Sequence, residues 1–233
     1  MRVPKQEELV LNPNADYVHI CDNNTIFGTR FNYIPKTGNV PLVTDMSSNI
    51  LSMPIDITKY GVIYAGAQKN LAPAGLTIVI IREDLLDGAD DKTPNIWNFK
   101  KQADKKSMLN TPPTFSIYLC KLVLEWIEEI GGLIEIQRRN EEKAEMLYDY
   151  LDTTTFYKAT AAKEDRSLMN VCFRTDSKER DARFVGEAIK HDLIGLKGHR
   201  LVGGMRVSLY NAMPIEGVHR LIEFMKQFEK ENR

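Results

Sequence analysis

The chain has 233 residues, 43% hydrophobic and 27% charged, with a formal net charge of −1. That length supports one large domain or two modest ones with real cores, and the near-neutral balance lacks the basic footprint of a nucleic-acid binder. No apolar run approaches a membrane span and no signal-type apolar region opens the sequence, so a soluble, cytoplasmic protein without a membrane partner is expected.

Residues 1–16 are polar and irregular, with Pro4 and Pro13 opposing early helix. Residues 17–21 alternate like a short strand, and Asp22, Asn23, Asn24 and Thr25 follow as a loop, the position where α/β folds make ligand contacts. A second short strand over residues 40–44 delivers Asp45 to its end, ahead of Ser47, Ser48 and Asn49. Residues 62–65 form a third strand, which stops at Gly66. Gln68, Lys69 and Asn70 sit in the turn before Pro73, Gly75 and a fourth strand over 76–81. Residues 87–108 read as an irregular surface excursion in which Trp97 is a packing anchor.

Asn110, Thr111, Pro112 and Pro113 then halt the chain ahead of a helix from Phe115 to Ile130, whose apolar residues recur at helical spacing. Gly131 and Gly132 end it, and a charge-rich helix runs over about residues 133–151. A strand over 168–173, a helix over 180–191, a strand over 205–209 and a helix beginning at Pro214 make a βαβ-like end and a small α/β domain. Cys21, Cys120 and Cys172 lack CxxC spacing and read as reduced, small core residues. The four histidines have no paired-ligand spacing, so no metal is expected.

Lys69 reads either as an ordinary loop lysine or, at a strand end where water can be excluded, as a Schiff-base lysine. Asp45 reads either as an Asx-turn residue for the serines after it or as the carboxylate that keeps a pyridine nitrogen protonated. Lysine and carboxylate at neighbouring strand ends of a parallel-type sheet meet two requirements of a pyridoxal 5′-phosphate (PLP) site.

Five segments extend this pattern: 45–52 (DMSSNILS), 66–70 (GAQKN), 110–115 (NTPPTF), 198–206 (GHRLVGGMR) and 210–214 (YNAMP). In this order they closely resemble the phosphoserine aminotransferases, class V PLP enzymes of fold-type I. The resemblance implies an α/β chain with residues 1–135 in the large, mostly parallel-sheet PLP domain and 136–233 in a small C-terminal α/β domain. It implies that Lys69 binds the cofactor and shuttles the proton, Asp45 pairs with the pyridinium, Thr25 lies near the ring's 3-oxygen, and Gln68 meets the phosphate. Asn110 and Thr111 would reach a partner's cofactor phosphate across a homodimer interface. Arg206 would hold the substrate α-carboxylate with its planar fork. His199 and Arg200 would read the phosphate of phosphoserine or the distal carboxylate of glutamate, although a basic pair in a Gly-bounded loop is also simply solvated. The implied reaction transfers an amino group between glutamate and 3-phosphohydroxypyruvate, giving 2-oxoglutarate and phosphoserine in serine biosynthesis. A second role in pyridoxine biosynthesis is part of the same resemblance.

Family chains carry an N-terminal region of roughly a hundred residues ahead of the point where this resemblance starts. That region supplies the phosphate loop, an aromatic that stacks on the ring and further cations. No segment here replaces it, so the chain is expected to be a fragment, one half of a split enzyme with a separately encoded N-terminal segment, or a truncated, inactive paralogue acting as a binding protein. Another class V aminotransferase is the alternative within PLP chemistry. A desulfurase is disfavoured by the lack of a suitable loop cysteine.

Overall fold

The computed structural model describes residues 1–90 and 92–233. The first sheet is built from short apolar strands: β1 (Val18–Cys21), β4 (Leu42–Asp45), β5 (Val62–Gly66) and β6 (Thr77–Ile81), in the spatial order β1-β4-β5-β6. Between β1 and β4 the chain forms a two-residue hairpin, β2 (Asn23–Asn24) with β3 (Thr29–Arg30). Strands β1, β4 and β5 are parallel and β6 is antiparallel. All three parallel strands therefore end at one edge, where Cys21 faces Asp45 and Asp45 faces Tyr64. Burial alternates along β4 and β5, as pleating requires, and turns Leu42, Ile63 and Ala65 into a core with Met46, Ile50, Leu71 and Cys120.

The stretch after β6 carries more regular structure than its composition suggests: a 3₁₀ turn over Glu83–Gly88, a second over Asn95–Trp97, and α1 (Phe99–Asp104), whose Asn98 side chain accepts a bond from the Lys101 N–H. Trp97 is not a packing anchor there: it is 69% exposed. Helix α2 (Thr114–Glu129) follows the two prolines, but only Ser116, Cys120 and Ile127 along it are buried, and Phe115 stands 70% exposed. Gly131, at φ 113°, makes the turn into α3 (Gly132–Thr153).

Helix α3 belongs to a second core. The strands β7 (Lys158–Ala159), β8 (Asn170–Arg174) and β9 (Met205–Ser208) form a three-stranded sheet, with α4 (Lys178–Lys190) between β8 and β9 and α5 (Ile215–Asn232) at the end. The expected βαβ arrangement is corrected here, because β8 and β9 are antiparallel neighbours. The run after α4, residues 191–204, carries the chain back so that β9 enters from the opposite direction. Val171, Phe173, Met205 and Val207 face Ala144, Leu147, Phe184, Leu221 and Met225. Phe173, Phe184, Phe224 and Phe228 meet edge-on or tilted, at centroid separations of 5.0–6.1 Å. Each buried phenyl ring contributes roughly 1.5–3 kcal/mol of transfer energy, with edge-to-face preference added. The Ser177 hydroxyl caps α4 by accepting from the Arg180 N–H.

The two cores are joined at several points. One is a strap near the start of the chain: the Val3 N–H donates to Asp165 at 2.9 Å and the Ala162 N–H donates to the Met1 carbonyl at 2.8 Å. Among the described residues, no helix is long and apolar enough to cross a membrane.

Candidate active site

The C-terminal edge of the parallel strands carries the expected chemistry. Asp45 is the last residue of β4, and its Oδ1 accepts from the Ser47 N–H at 2.7 Å. The Asx turn is therefore present and occupies Oδ1, while the Tyr64 hydroxyl lies close enough to the Asp45 carboxylate for that carboxylate to add to burial in raising the phenol's pKa. Ser47 in turn accepts from the Gly66 N–H at 3.0 Å, tying the ends of β4 and β5 together. Cys21 lies in register with Asp45, and its thiol is pushed up by partial burial and by Asp45, against the pull of Lys69. It is exposed as a residue, so the expectation of a core cysteine holds for Cys120 and Cys172 but not for Cys21.

Lys69 follows the end of β5, and its ammonium donates to Thr25 Oγ1 at 2.7 Å. The same Nζ sits 5.9 Å from the ring centroid of Tyr210. Thr25 is held by the small hairpin rather than by an open loop, a correction to the simple reading of residues 22–25. Inside that hairpin Asn23 is buried; its amide donates to Ser48 Oγ at 2.8 Å and to Asn170 Oδ1 at 3.0 Å. The Asn170 amide donates to the Tyr210 hydroxyl at 3.2 Å. Thr25, Lys69, Tyr210, Asn170 and Asn23 thus form a chain of contacts between the first sheet and the second.

Arg206 comes from the second sheet. It alternates with the core residues Met205 and Val207, so it shares the opposite face with Ser208 and, across the ladder, Cys172. Burial pushes the Cys172 thiol up to about 11, with Arg206 pulling against it. Arg206 enters no ion pair among the described residues, and its Nε is buried without a partner. A half-buried guanidinium in that state is matched by an incoming carboxylate.

Other expected site residues lie further out. Gln68 is exposed and folds against Gly66, where an added Cβ would stand 2.7 Å from Gln68 Oε1. Asn110 and Thr111 are exposed in the turn before α2; the Asn110 amide donates to the Thr111 carbonyl at 3.0 Å, and no described hydrogen bond joins either to Lys69, Asp45 or Thr25. His199 and Arg200 occupy a tight loop closed by the Gly198 N–H donating to the Gly204 carbonyl at 2.9 Å; His199 Nδ1 accepts from the Leu201 N–H, and Arg200 is exposed. An apolar cleft of about 430 Å³ runs beside Lys69 toward Leu119, Leu122 and Trp126. Its lining omits Asp45, Thr25 and Arg206, so the polar groups converge elsewhere.

Sequence reasoning did not assign Tyr210, Ser47, Asn23 or Asn170. Tyr210 and Ser47 lie within two of the segments that carried the resemblance, which was the available signal. Nothing in local pattern marks Asn23 or Asn170, whose partners are more than a hundred residues apart.

The residue set suits PLP: a lysine bonded to a hydroxyl, a carboxylate at a neighbouring strand end, and an arginine that has no counter-ion among the described residues. Comparison with known proteins agrees. The family profile described as Aminotransferase class-V matches residues 2–221. The chain is 58% identical to the phosphoserine aminotransferase of Pasteurella multocida over 94% of its own length and 61% of that relative's. It superposes on the phosphoserine aminotransferase of Bacillus circulans subsp. alkalophilus with a TM-score of 0.97 at 44% identity, covering 99% of this chain and 64% of that one. A PLP-bound phosphoserine aminotransferase from Trichomonas vaginalis gives 0.92 at 40% identity, covering 97% and 64%. The chain thus spans somewhat over three fifths of the length of the relatives it matches. From its matched profile and its fold-type I architecture, this chain belongs to the class-V aminotransferase family.

Proposed function

We propose that this chain carries out PLP-dependent amino transfer between glutamate and 3-phosphohydroxypyruvate, yielding phosphoserine and 2-oxoglutarate in serine biosynthesis. The observation that carries the reading is the placement of Asp45 and Lys69 at the ends of adjacent parallel strands, with Tyr210, four residues after Arg206, bringing the second sheet's segment to 5.9 Å from Lys69 Nζ. Relatives named phosphoserine aminotransferase, at 58% identity, support the substrate class.

Bound PLP supplies a protonated conjugated ring that accepts electrons from the substrate's Cα–H bond. The protein's residues do the rest. Asp45, whose Oδ1 is held by the Ser47 N–H, would keep the ring nitrogen protonated. Lys69 would hold the cofactor and carry the proton at Nζ, a nitrogen that Thr25 Oγ1 orients. Arg206 binds the α-carboxylate bidentately. His199 and Arg200 meet the distal anion, either phosphate or carboxylate, from the Gly-bounded loop. Gln68, exposed beside Gly66, would meet the cofactor phosphate.

Residues 1–135 form the cofactor-binding part and residues 136–233 the small domain in this reading, supported by the separate cores on either side of that point. A second chain completes the site. A homodimer would use the exposed Asn110 and Thr111, which stand beside the exposed Phe115; a separately encoded N-terminal segment is the other source. Cytoplasmic location and a further role in pyridoxine biosynthesis belong to the same proposal.

The test is the visible spectrum of the purified protein with PLP, beside Lys69→Ala. A Lys69-dependent band that glutamate bleaches and 3-phosphohydroxypyruvate restores is the expected result. No such band, with or without a full-length relative's N-terminal region, would overturn the enzyme reading in favour of a binding protein.

A further inference from the structure

Three consecutive backbone carbonyls, those of Ile50, Leu51 and Ser52, end the turn that follows Asp45. Each is taken by an asparagine side chain from a different part of the chain. Asn70 Nδ2 donates to Ile50 at 2.9 Å, Asn211 Nδ2 to Leu51 at 2.9 Å, and Asn140 Nδ2 to Ser52 at 3.0 Å. The three asparagines are also bonded to one another. The Asn211 N–H donates to Asn70 Oδ1 at 3.1 Å, and Asn140 Nδ2 donates to Asn211 Oδ1 at 2.9 Å. All three are buried, Asn140 completely. Asn140 Oδ1 alone among these side-chain amide atoms is buried without a partner; the bonds that are made are costly to disturb, because removing one amide strands its partners.

The positions of these asparagines matter more than their number. Asn70 directly follows Lys69, and Asn211 directly follows Tyr210 at the end of the segment that holds Arg206. The turn they grip begins at Asp45. Lys143, also from α3, grips the same place by donating to the carbonyls of Leu209 at 3.2 Å and Tyr210 at 3.0 Å. Leu51 sits at φ 57°, a left-handed backbone that is unfavourable for a leucine and that the bond from Asn211 helps to retain.

We propose that Asn211 is a positioning residue, the hub of an amide lock that fixes Lys69, Asp45 and the Arg206–Tyr210 segment relative to one another. The lock itself is a statement about the folded chain; its effect on amino transfer rests on the function proposed above. Asn211 touches neither cofactor nor substrate in this account. It acts by holding the turn after Asp45, the loop after Lys69 and the end of β9 as one body, so that a substrate held by Arg206 presents its Cα to Lys69.

The test uses the whole protein as Asn211→Ala, with Asn70→Ala as a second variant if the first does not fold. Amide hydrogen exchange is expected to quicken about tenfold in residues 46–53 and 67–72 together, while Val171 and Phe173 in β8 keep wild-type protection. Uniform loss across the chain, or a change confined to residue 211, would overturn the lock. With PLP bound, the rate at saturating glutamate per loaded site is expected to fall about tenfold with KM changing less. An unchanged rate per loaded site would leave Asn211 merely structural and sink the positioning role. If the wild type shows no Lys69-dependent band, the functional reading fails, and the exchange pattern still decides the lock.

Discussion

The Lys69 ammonium donates to the Thr25 hydroxyl at 2.7 Å, joining the residue that follows one parallel strand to the hairpin that follows another. Thr25→Val keeps the volume and removes the acceptor. The visible band with PLP is expected to persist, because Lys69 remains, while the saturating rate falls about tenfold. Thr25→Ser should recover most of it. Full activity in the valine variant would show that the hydroxyl does not orient Nζ.

Arg206 has a buried, unpartnered Nε and no counter-ion among the described residues. Arg206→Lys keeps the charge but loses the fork. KM for glutamate is expected to rise about tenfold or more while the band with PLP is retained. Steady-state kinetics on both substrates checks this, and an unchanged KM would remove Arg206 from carboxylate binding.

Lys143 is 2% exposed and faces carbonyls rather than a carboxylate; burial holds its ammonium down at about 8, from an ordinary 10.5. The folded chain therefore binds fewer protons at this site than the unfolded one. The burial penalty is full below about pH 8 and fades as pH rises toward 10.5. Measured against Lys143→Met by urea unfolding, the wild type is expected to gain about 1–2 kcal/mol between about pH 7 and about pH 9.5. A pH-independent difference would contradict a buried charge.

Gly198 has no room for a side chain: a Cβ there would lie 2.1 Å from the Gly203 carbonyl oxygen. Gly198→Ala must open the loop that carries His199 and Arg200. KM for phosphoserine is expected to rise severalfold with little change in melting temperature, since the loop lies outside the phenylalanine core. Calorimetry beside kinetics separates the two effects, and a large loss of stability with unchanged KM would refute the assignment of this loop to the anion.

Much of this arrangement was legible before any coordinates. Asp45 and Lys69 could be placed at strand ends because short apolar runs stop there, and the buried face of α5, from Val218 to Phe228, follows from helical spacing alone. Strand direction was not legible: β8 and β9 carry the same alternating pattern whether parallel or antiparallel, so the βαβ reading of that end was wrong. Helix α1 was missed because six residues carry too little periodicity, and β2 and β3 because two-residue strands carry none. Helix α2 misled in another way, since its apolar spacing is real but leaves Phe115 and Leu122 in the open. Tyr210, Asn70 and Asn211 lie in segments that carry the resemblance, but the bonds they make were out of reach for a different reason. A hydrogen bond between Asn211 and Leu51 spans 160 residues, and no local propensity encodes it.

The strap between Val3 and Asp165 has a consequence for how the molecule is assembled. The two residues are 162 positions apart, so the contact closes a loop over more than two thirds of the 233-residue chain. During synthesis at roughly 5–20 residues per second, Val3 waits roughly 8 to 30 s for its partner to be made. Closing such a loop is repaid only once the second core offers a surface to dock on. A fluorescent probe at Val3 would therefore act as a clock, registering the late moment at which the two halves become one molecule.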